Sequence, residues 1–179
     1  MAKNIGFRKT RTAKDWGLKK KSELQGNEYG KASKGVIVCK ICHNVYFKKG
    51  WHQPGRRPLV GAKLSGTGVH FAICPACKME KGNLYGGKVI IKNIPLAARE
   101  ELFNLIAGFG RRALEQNPQH RILDMEMTGA SIIVTTNNDE LAARLGKKIT
   151  ETFDHKVEKK ISFSAEPEEV SHVEINFIS

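Results

Sequence analysis

The stretch Val38-Cys-Lys-Ile-Cys42 decides the fold of the first half of this chain, together with its counterpart Ile73-Cys-Pro-Ala-Cys-Lys-Met79. Each stretch holds a Cys-x-x-Cys pair, and the two pairs contain all four cysteines of the 179 residues. Such a turn aims two sulfurs at one point, so two turns supply the four thiolates that a structural Zn²⁺ takes. Four sulfur ligands leave no position open for a catalytic water. The predicted ligands of one structural zinc ion are Cys39, Cys42, Cys74 and Cys77.

Two other interpretations of the cysteine pairs stay open: two disulfides, or a redox-active dithiol. The 31 residues between the pairs exceed the ~15–20 that are usual for a zinc site of this pattern. A dithiol oxidoreductase needs only one pair, and the chain shows no hydrophobic export signal, so we expect reduced thiols in the cytoplasm. His43 and His52 are near enough in sequence to replace a thiolate, although nothing requires it.

The positive charge is confined to one half of the chain. Residues 1–87 contain 18 Lys/Arg against 4 Asp/Glu, a net +14, whereas residues 88–179 contain 12 against 14, a net −2. This asymmetry predicts a polyanionic partner, with nucleic acid as the first candidate. An anionic membrane surface competes as the partner, but it would require an amphipathic basic helix that the N-terminal stretch does not show. No apolar run approaches the ~18 residues of a membrane span, so we expect no membrane partner.

Residues 1–34 form a basic arm that we predict to be disordered in the free protein, because its sparse apolar residues lack helical periodicity. Aromatic rings lie among the cations, and rings combined with cations suit stacking on bases as well as phosphate contact. The alternative is an inert, solvated tail. The candidate RNA-binding residues of the arm are Arg8, Lys9, Arg11, Lys14, Trp16, Lys19, Lys20 and Lys21.

Residues 35–87 are predicted to be a zinc-ribbon module with a long basic loop. Residues 36–38 and 45–47 read as a hairpin around the first cysteine pair, and residues 69–73 read as a strand entering the second. Such a core is too small to be stable without its metal. We expect the loop to become ordered on the ligand that it grips. The candidate RNA contacts of the module are Tyr46, Lys48, Lys49, Trp51, Arg56, Arg57 and Lys63.

Residues 88–179 show the pattern of an α+β domain in the order β-α-β-β-α-β-β. The strands are predicted at 89–91, 121–128, 131–136, 157–163 and 173–177, with the last two joined around Pro167. A first helix over 96–116 ends before Pro118, and Asn137 caps the second. The first six elements match the ferredoxin-like βαββαβ pattern, an antiparallel sheet with both helices on one face. Because this half is acidic and no strand carries a run of aromatics, we expect it to pack or dock.

No motif for catalysis is present. The sequence contains no phosphate-binding glycine loop between a strand and a helix, no Gly-x-Ser-x-Gly and no His-Glu-x-x-His. Asp124 and Glu126 lie on the polar side of an alternating strand, which is typical of a solvated face. We therefore predict a protein that is not an enzyme and takes no small-molecule substrate.

Several local sequences resemble one protein family, the short prokaryotic relatives of the zinc-containing large-ribosomal-subunit export adaptor, over residues from about 36 to 177. The adaptor family binds the intersubunit side of the large subunit near the tRNA sites. The resemblance implies that the four cysteines are zinc ligands and that the chain associates with rRNA or the ribosome. This chain is too short for the adaptor's downstream domains, and its basic arm does not match. The sequences that carry the resemblance are Val38-Cys-Lys-Ile-Cys42, Ile73-Cys-Pro-Ala-Cys-Lys-Met79, Tyr85-Gly-Gly-Lys-Val-Ile-Ile91, Asn117-Pro, Arg121-Ile-Leu-Asp-Met-Glu126, Ile133-Val-Thr-Thr136 and Leu141-Ala-Ala-Arg-Leu-Gly146.

The sequence thus favours a ribosome-associated, rRNA-binding zinc protein of translation. A constitutive ribosomal protein, an assembly factor and a hibernation-type factor all fit. A DNA-binding or transcription-associated zinc ribbon is the alternative, because neutralisation of phosphates does not distinguish RNA from DNA. A third class is a protein-interaction module that docks through the acidic half.

Overall fold

The computed structural model describes residues 35–54, 68–154, 156–163 and 170–178. Within these ranges the chain forms a mixed α/β structure with two sheets and three α-helices, and a short 3-10 turn (Leu96–Ala98) leads into the second helix. The elements are β1 (Gly35–Cys39), β2 (Val45–Phe47), β3 (Gly50–His52), β4 (Gly68–Ala72), α1 (Pro75–Lys81), β5 (Gly87–Lys92), α2 (Arg99–Gln116), β6 (Ile122–Thr128), β7 (Ser131–Thr136), α3 (Asp139–Thr152), β8 (Val157–Phe163) and β9 (Ser171–Phe177).

The first sheet brings the two cysteine pairs together. Its strand order is β3-β2-β1-β4. β1 and β2 form the predicted antiparallel hairpin around the first pair, with Val38 opposite Val45. β4 runs parallel to β1, with Cys39 opposite Ala72. Because parallel strands end at the same edge of a sheet, both cysteine pairs follow strand ends at one edge.

The second cysteine pair lies on a helix and not on a second ribbon-like turn, which corrects the prediction for this part of the module. α1 starts at Pro75, directly after Cys74, and proline is favoured at the first helical position because its fixed φ suits a helix and no N–H is lost. Cys74 is the N-cap residue, and its sulfur accepts a hydrogen bond from the backbone N–H of Cys77.

The second sheet has the order β6-β7-β5-β9-β8. α2 and α3 pack on one face of it, and their apolar residues share one buried core with those of β5, β7 and β9. Close packing of α3 on the sheet depends on Gly146, since a Cβ there would meet Val173 Cγ1 at 2.5 Å. β5 begins at Gly87, within one residue of the predicted boundary.

The predicted ferredoxin-like order is wrong at the closing strands. That pattern is antiparallel throughout, with its fourth strand beside its first. Here β9 lies beside β5 and parallel to it, while β8 occupies the edge of the sheet. The physical reason is burial, because Val173 and Ile175 of β9 are fully buried. In β8 the central Lys159 and Lys160 are exposed, which suits an edge strand.

Candidate metal centre

The four cysteine sulfurs lie within 4.8 Å of one another. Cys42 Sγ and Cys74 Sγ are 3.6 Å apart, far beyond a disulfide bond, and all four cysteines are free. With a zinc–sulfur distance of about 2.3 Å, two sulfurs of a tetrahedral site are separated by roughly 3.8 Å. The sulfurs therefore fit one tetrahedral metal ion, as predicted, although Zn²⁺ and iron share this ligand geometry.

Burial shields the sulfur cluster from water. Cys39, Cys74 and Cys77 are fully buried, whereas Cys42 is half-buried. Ala76 of α1 completes the buried cluster, and Ile73 and Trp51 pack against it. A dry shell of this kind excludes competing ligands and strengthens the bonds between the metal and its thiolates.

Backbone N–H groups lower the pKa of one of the four cysteines, Cys39. Cys39 Sγ accepts a hydrogen bond of 3.3 Å from the Cys74 N–H. Burial alone would raise the pKa of Cys39, but hydrogen bonds from the backbone of Cys42, Cys74 and Ile41 outweigh it and lower this pKa to about 6. The backbone around Cys39 therefore favours its thiolate form.

The other two buried sulfurs hold their protons in the absence of a cation. Burial raises the pKa of both Cys74 and Cys77. For Cys77, hydrogen bonding and charge from Cys74 and Cys42 raise the pKa further, while the positive charge of Arg121 opposes this. A divalent cation among the sulfurs would remove these penalties and ionise the thiols.

Two residues of the segment between α2 and β6 reach the cluster, and neither was predicted to do so. Arg121 Nη1 lies 3.4 Å from Cys77 Sγ and 2.9 Å from Glu80 Oε2. Gln119 Oε1 accepts a 3.2 Å hydrogen bond from the Ala76 N–H in the first turn of α1. No spacing rule links residues more than forty positions apart, so only the fold could identify them.

Asn138, and not Asn137, caps α3. Its Oδ1 accepts a 2.7 Å hydrogen bond from the Leu141 N–H, which corrects the predicted cap by one residue. Asn137 is used instead to hold the segment 117–121: its Oδ1 accepts from the Arg121 N–H at 2.9 Å, and its Nδ2 donates to the Gln119 carbonyl. The residue beside the cap thus fixes the backbone of the two residues whose side chains contact Cys77 and the Ala76 N–H.

A cleft of about 540 Å³ lies between α2 and residues 35–54 and 68–86, which we call the metal module. One wall carries Cys42, Gln53 and Glu80, and the other carries Arg111 and Leu114. Gln53 Nε2 bridges the walls by donating to the Leu114 carbonyl at 3.0 Å. The half-buried Cys42 is the ligand nearest this opening.

The predicted RNA contacts within the described part of the chain fall into two groups. Lys48 and Lys49 are exposed at the turn between β2 and β3. Strand β3 itself was predicted to be part of the long basic loop, so its presence is a correction. The Tyr46 and Trp51 rings lie opposite each other on β2 and β3, with centroids 5.4 Å apart and planes tilted by 56°. Trp51 also packs against the cysteine cluster, which is a structural role in addition to its predicted stacking on bases.

The other predicted contacts lie outside the described residues. They are Arg8, Lys9, Arg11, Lys14, Trp16, Lys19, Lys20 and Lys21 of the arm, and Arg56, Arg57 and Lys63 of the loop.

Among the helices that the structure describes, none has both the length and the apolar character that a membrane span requires. No family model matches the sequence, and a search among curated proteins returned no match. The features that bear on function are the sulfur cluster and the exposed lysines of the first module.

Proposed function

We propose that this chain is a ribosome-associated, rRNA-binding protein without catalytic activity, held together in its first module by one structural Zn²⁺. The observation that carries the proposal is the division of charge, with net +14 in residues 1–87 and net −2 in the rest. A protein that concentrates its cations in this way gains most from a polyanion, because each neutralised phosphate releases counterions.

Zinc is the metal that we assign to the four sulfurs. All-thiolate tetrahedral sites select Zn²⁺ or iron among common biological metals, and four ligands with no open position make a structural site. Once bound, zinc would supply the free energy that a module with so small a buried cluster lacks. Reduced thiols of this kind require a reducing compartment, which supports a cytoplasmic protein.

The described residues of the metal module support contact with RNA phosphates. Residues 35–54 and 68–86 contain five lysines and a single acidic residue, Glu80. Glu80 is itself paired with Arg121. Lys48 and Lys49 project from the turn between β2 and β3, with Lys48 Nζ 5.5 Å from the centre of the Phe47 ring. The arm would add further phosphate contacts, and Tyr46 and Trp51 would add stacking.

The resemblance to the export adaptor's relatives supports a more specific location. We place the protein at the intersubunit face of the large subunit near the tRNA sites, as a ribosomal protein, an assembly factor or a hibernation-type factor. The net negative second sheet would then position the module and not grip the rRNA itself.

Salt dependence of RNA binding tests the proposal. Binding of the full chain to a structured rRNA fragment should fall about a thousandfold between low and physiological salt if several phosphates are neutralised. Removing residues 1–34 should flatten that slope, because the arm carries many of the cations. Duplex DNA of the same length is the control. Equal or tighter binding to DNA would favour the alternative, a DNA-binding or transcription-associated zinc protein.

A further inference from the structure

Arg121 lies in the segment between α2 and β6, but its charged group lies beside the cysteine cluster. Its side chain is only 15% exposed, and its Nη1 contacts both Cys77 Sγ and Glu80 Oε2 of α1. Four thiolates and one Zn²⁺ carry a net charge of −2, so a buried cation beside a sulfur stabilises the loaded site. Burial would lower the pKa of Arg121, but its interactions with Cys42 and Cys77 raise it instead.

Gln119 makes a second connection of the same kind. Its Oε1 accepts from the Ala76 N–H, one of the α1 amides that lack a partner within the helix. Its Nε2 is buried and has no hydrogen-bond acceptor among the described residues. Through its carbonyl, Gln119 therefore fixes the first turn of α1, the turn that Cys74 caps.

Hydrogen bonds anchor the segment 117–121 to its own side of the molecule. Asn137 binds the backbone at both Gln119 and Arg121, and Asn117 Oδ1 accepts a 2.9 Å hydrogen bond from the Gln119 N–H. Arg121 Nε also donates to the Pro118 carbonyl at 3.4 Å. The backbone of this segment is thus anchored to the second sheet, while the side chains of Gln119 and Arg121 bind residues of the metal module.

We propose that residues Gln119 and Arg121 are the outer hydrogen-bonding layer of the metal centre, so that metal binding and docking of the first module on the second sheet form one coupled equilibrium. The inference rests on the metal site of the proposed function. With metal bound, Cys77 Sγ is held where Arg121 donates to it, and the Ala76 N–H is held where it donates to Gln119. Without metal, nothing holds the four sulfurs at one point, so α1 is less firmly placed against these two side chains and the contact weakens. Coupling is reciprocal, and a weaker contact must lower the metal affinity.

Zinc affinity of the full chain, measured in competition with a chelator, tests the coupling. Arg121→Gln should lower the affinity about 10- to 100-fold, the usual effect of losing a hydrogen-bonding partner of a metal ligand. Arg121→Lys should lose less, because it keeps the charge but not the planar fork. Arg112→Gln is the matched control: it removes the same charge from an exposed position of α2 that does not line the cleft, and should leave the affinity unchanged.

Hydrogen exchange gives an independent measurement. Removing zinc from the wild-type chain should increase exchange at residues 117–121 and in α1, while the buried strands β5 and β7 stay protected. Zinc-saturated Arg121→Gln should show the same loosening at 117–121. Wild-type zinc affinity in Arg121→Gln, or unchanged exchange at 117–121 on zinc removal, would overturn the coupling alone. A wild-type chain that binds no zinc would overturn both the coupling and the proposed metal site.

Discussion

Cys39 and Cys77 belong to the same sulfur cluster, but their surroundings favour opposite protonation states. Backbone N–H groups hold the pKa of Cys39 near 6, whereas burial and neighbouring sulfurs raise that of Cys77. The surroundings therefore favour the thiolate form of Cys39 and the protonated form of Cys77. Cys74 and Cys77 must lose their protons as the site closes.

Zinc affinity should therefore fall as the pH falls. Because Cys74 and Cys77 have raised pKa values in the metal-free protein, zinc must displace a proton from each, and acid favours the protonated thiols. Each displaced proton lowers the apparent affinity about tenfold per pH unit in this range. Chelator competition between about pH 7 and about pH 8, corrected for protonation of the chelator, measures the effect. An affinity that does not change with pH would show that both thiols already ionise in the metal-free chain.

At the residue scale, the four cysteines that come together could be predicted from the sequence, but the residues around them could not. The four cysteines are recognisable because two Cys-x-x-Cys pairs are a local pattern. Arg121 and Gln119 are not, because their role depends on how the segment between α2 and β6 meets helix α1 of the metal module. Asn137 and Asn138 are both suitable caps by residue type, and only the backbone geometry selects Asn138.

The hairpin β2–β3 is the element whose backbone departs most from local preference. Lys48 and Lys49 have φ values of 48° and 64°, and the strands are joined by these two residues alone, as in a type I′ turn. Asn-Gly is the preferred pair there, because left-handed backbone costs about 1 kcal/mol for most other residues. Two lysines at this turn suggest that their charge matters more than the stability of the hairpin.

Replacing both lysines should separate stability from binding. Lys48→Asn with Lys49→Gly should raise the stability of the module by about 1 kcal/mol, because both residues suit the turn. The same change should lower RNA affinity and reduce the salt slope by up to about 1–2, since two phosphate contacts are lost. Thermal unfolding and RNA titration measure the two effects.

Lys48→Gln with Lys49→Gln is the matched control for this turn. It removes the same charges, so RNA binding should fall equally. Glutamine is unfavourable in left-handed backbone, so the gain in stability should be absent. Unchanged RNA binding in both double variants would remove this turn from the proposed RNA surface.

Helix α1 shows why an element can escape sequence analysis. Its seven residues are too few for a reliable helical period, and Pro75 next to a cysteine pair fits a turn as well as a helix start. β3 escaped for a similar reason, because Lys48 and Lys49 do not resemble a hairpin turn. By contrast, α2 and the strands β6 and β7 carry long, regular patterns and lie where they were predicted.

The whole molecule contains two cores of very different size. Among the described residues, the second sheet and its helices bury eighteen hydrophobic residues in one cluster, whereas the cluster of the metal module contains four buried residues, three of which are cysteines. The order of β8 and β9 in the larger sheet could not be predicted, because both are amphipathic strands and their places follow from the packing of the complete core.

Zinc removal should therefore unfold one part of the molecule and spare the other. With the metal chelated, or with Cys74→Ala, residues 35–54 and 68–86 should lose protection from hydrogen exchange, because the buried cluster of the module consists mostly of ligands. Strands β5, β7 and β9 should stay protected. Cooperative loss of both parts would mean that the second sheet depends on the metal for its own stability.

Sedimentation of the protein at its native level in cell lysate tests the central claim most directly. The charge division and the resemblance to the export adaptor's relatives predict that it migrates with ribosomal particles that contain the large subunit, that high salt releases it, and that its footprint on rRNA lies on the intersubunit face. Removing residues 1–34 should release it at lower salt, because fewer phosphates are neutralised. A protein that sediments free of ribosomal particles at low salt, or whose footprint is confined to the solvent side, would contradict the account.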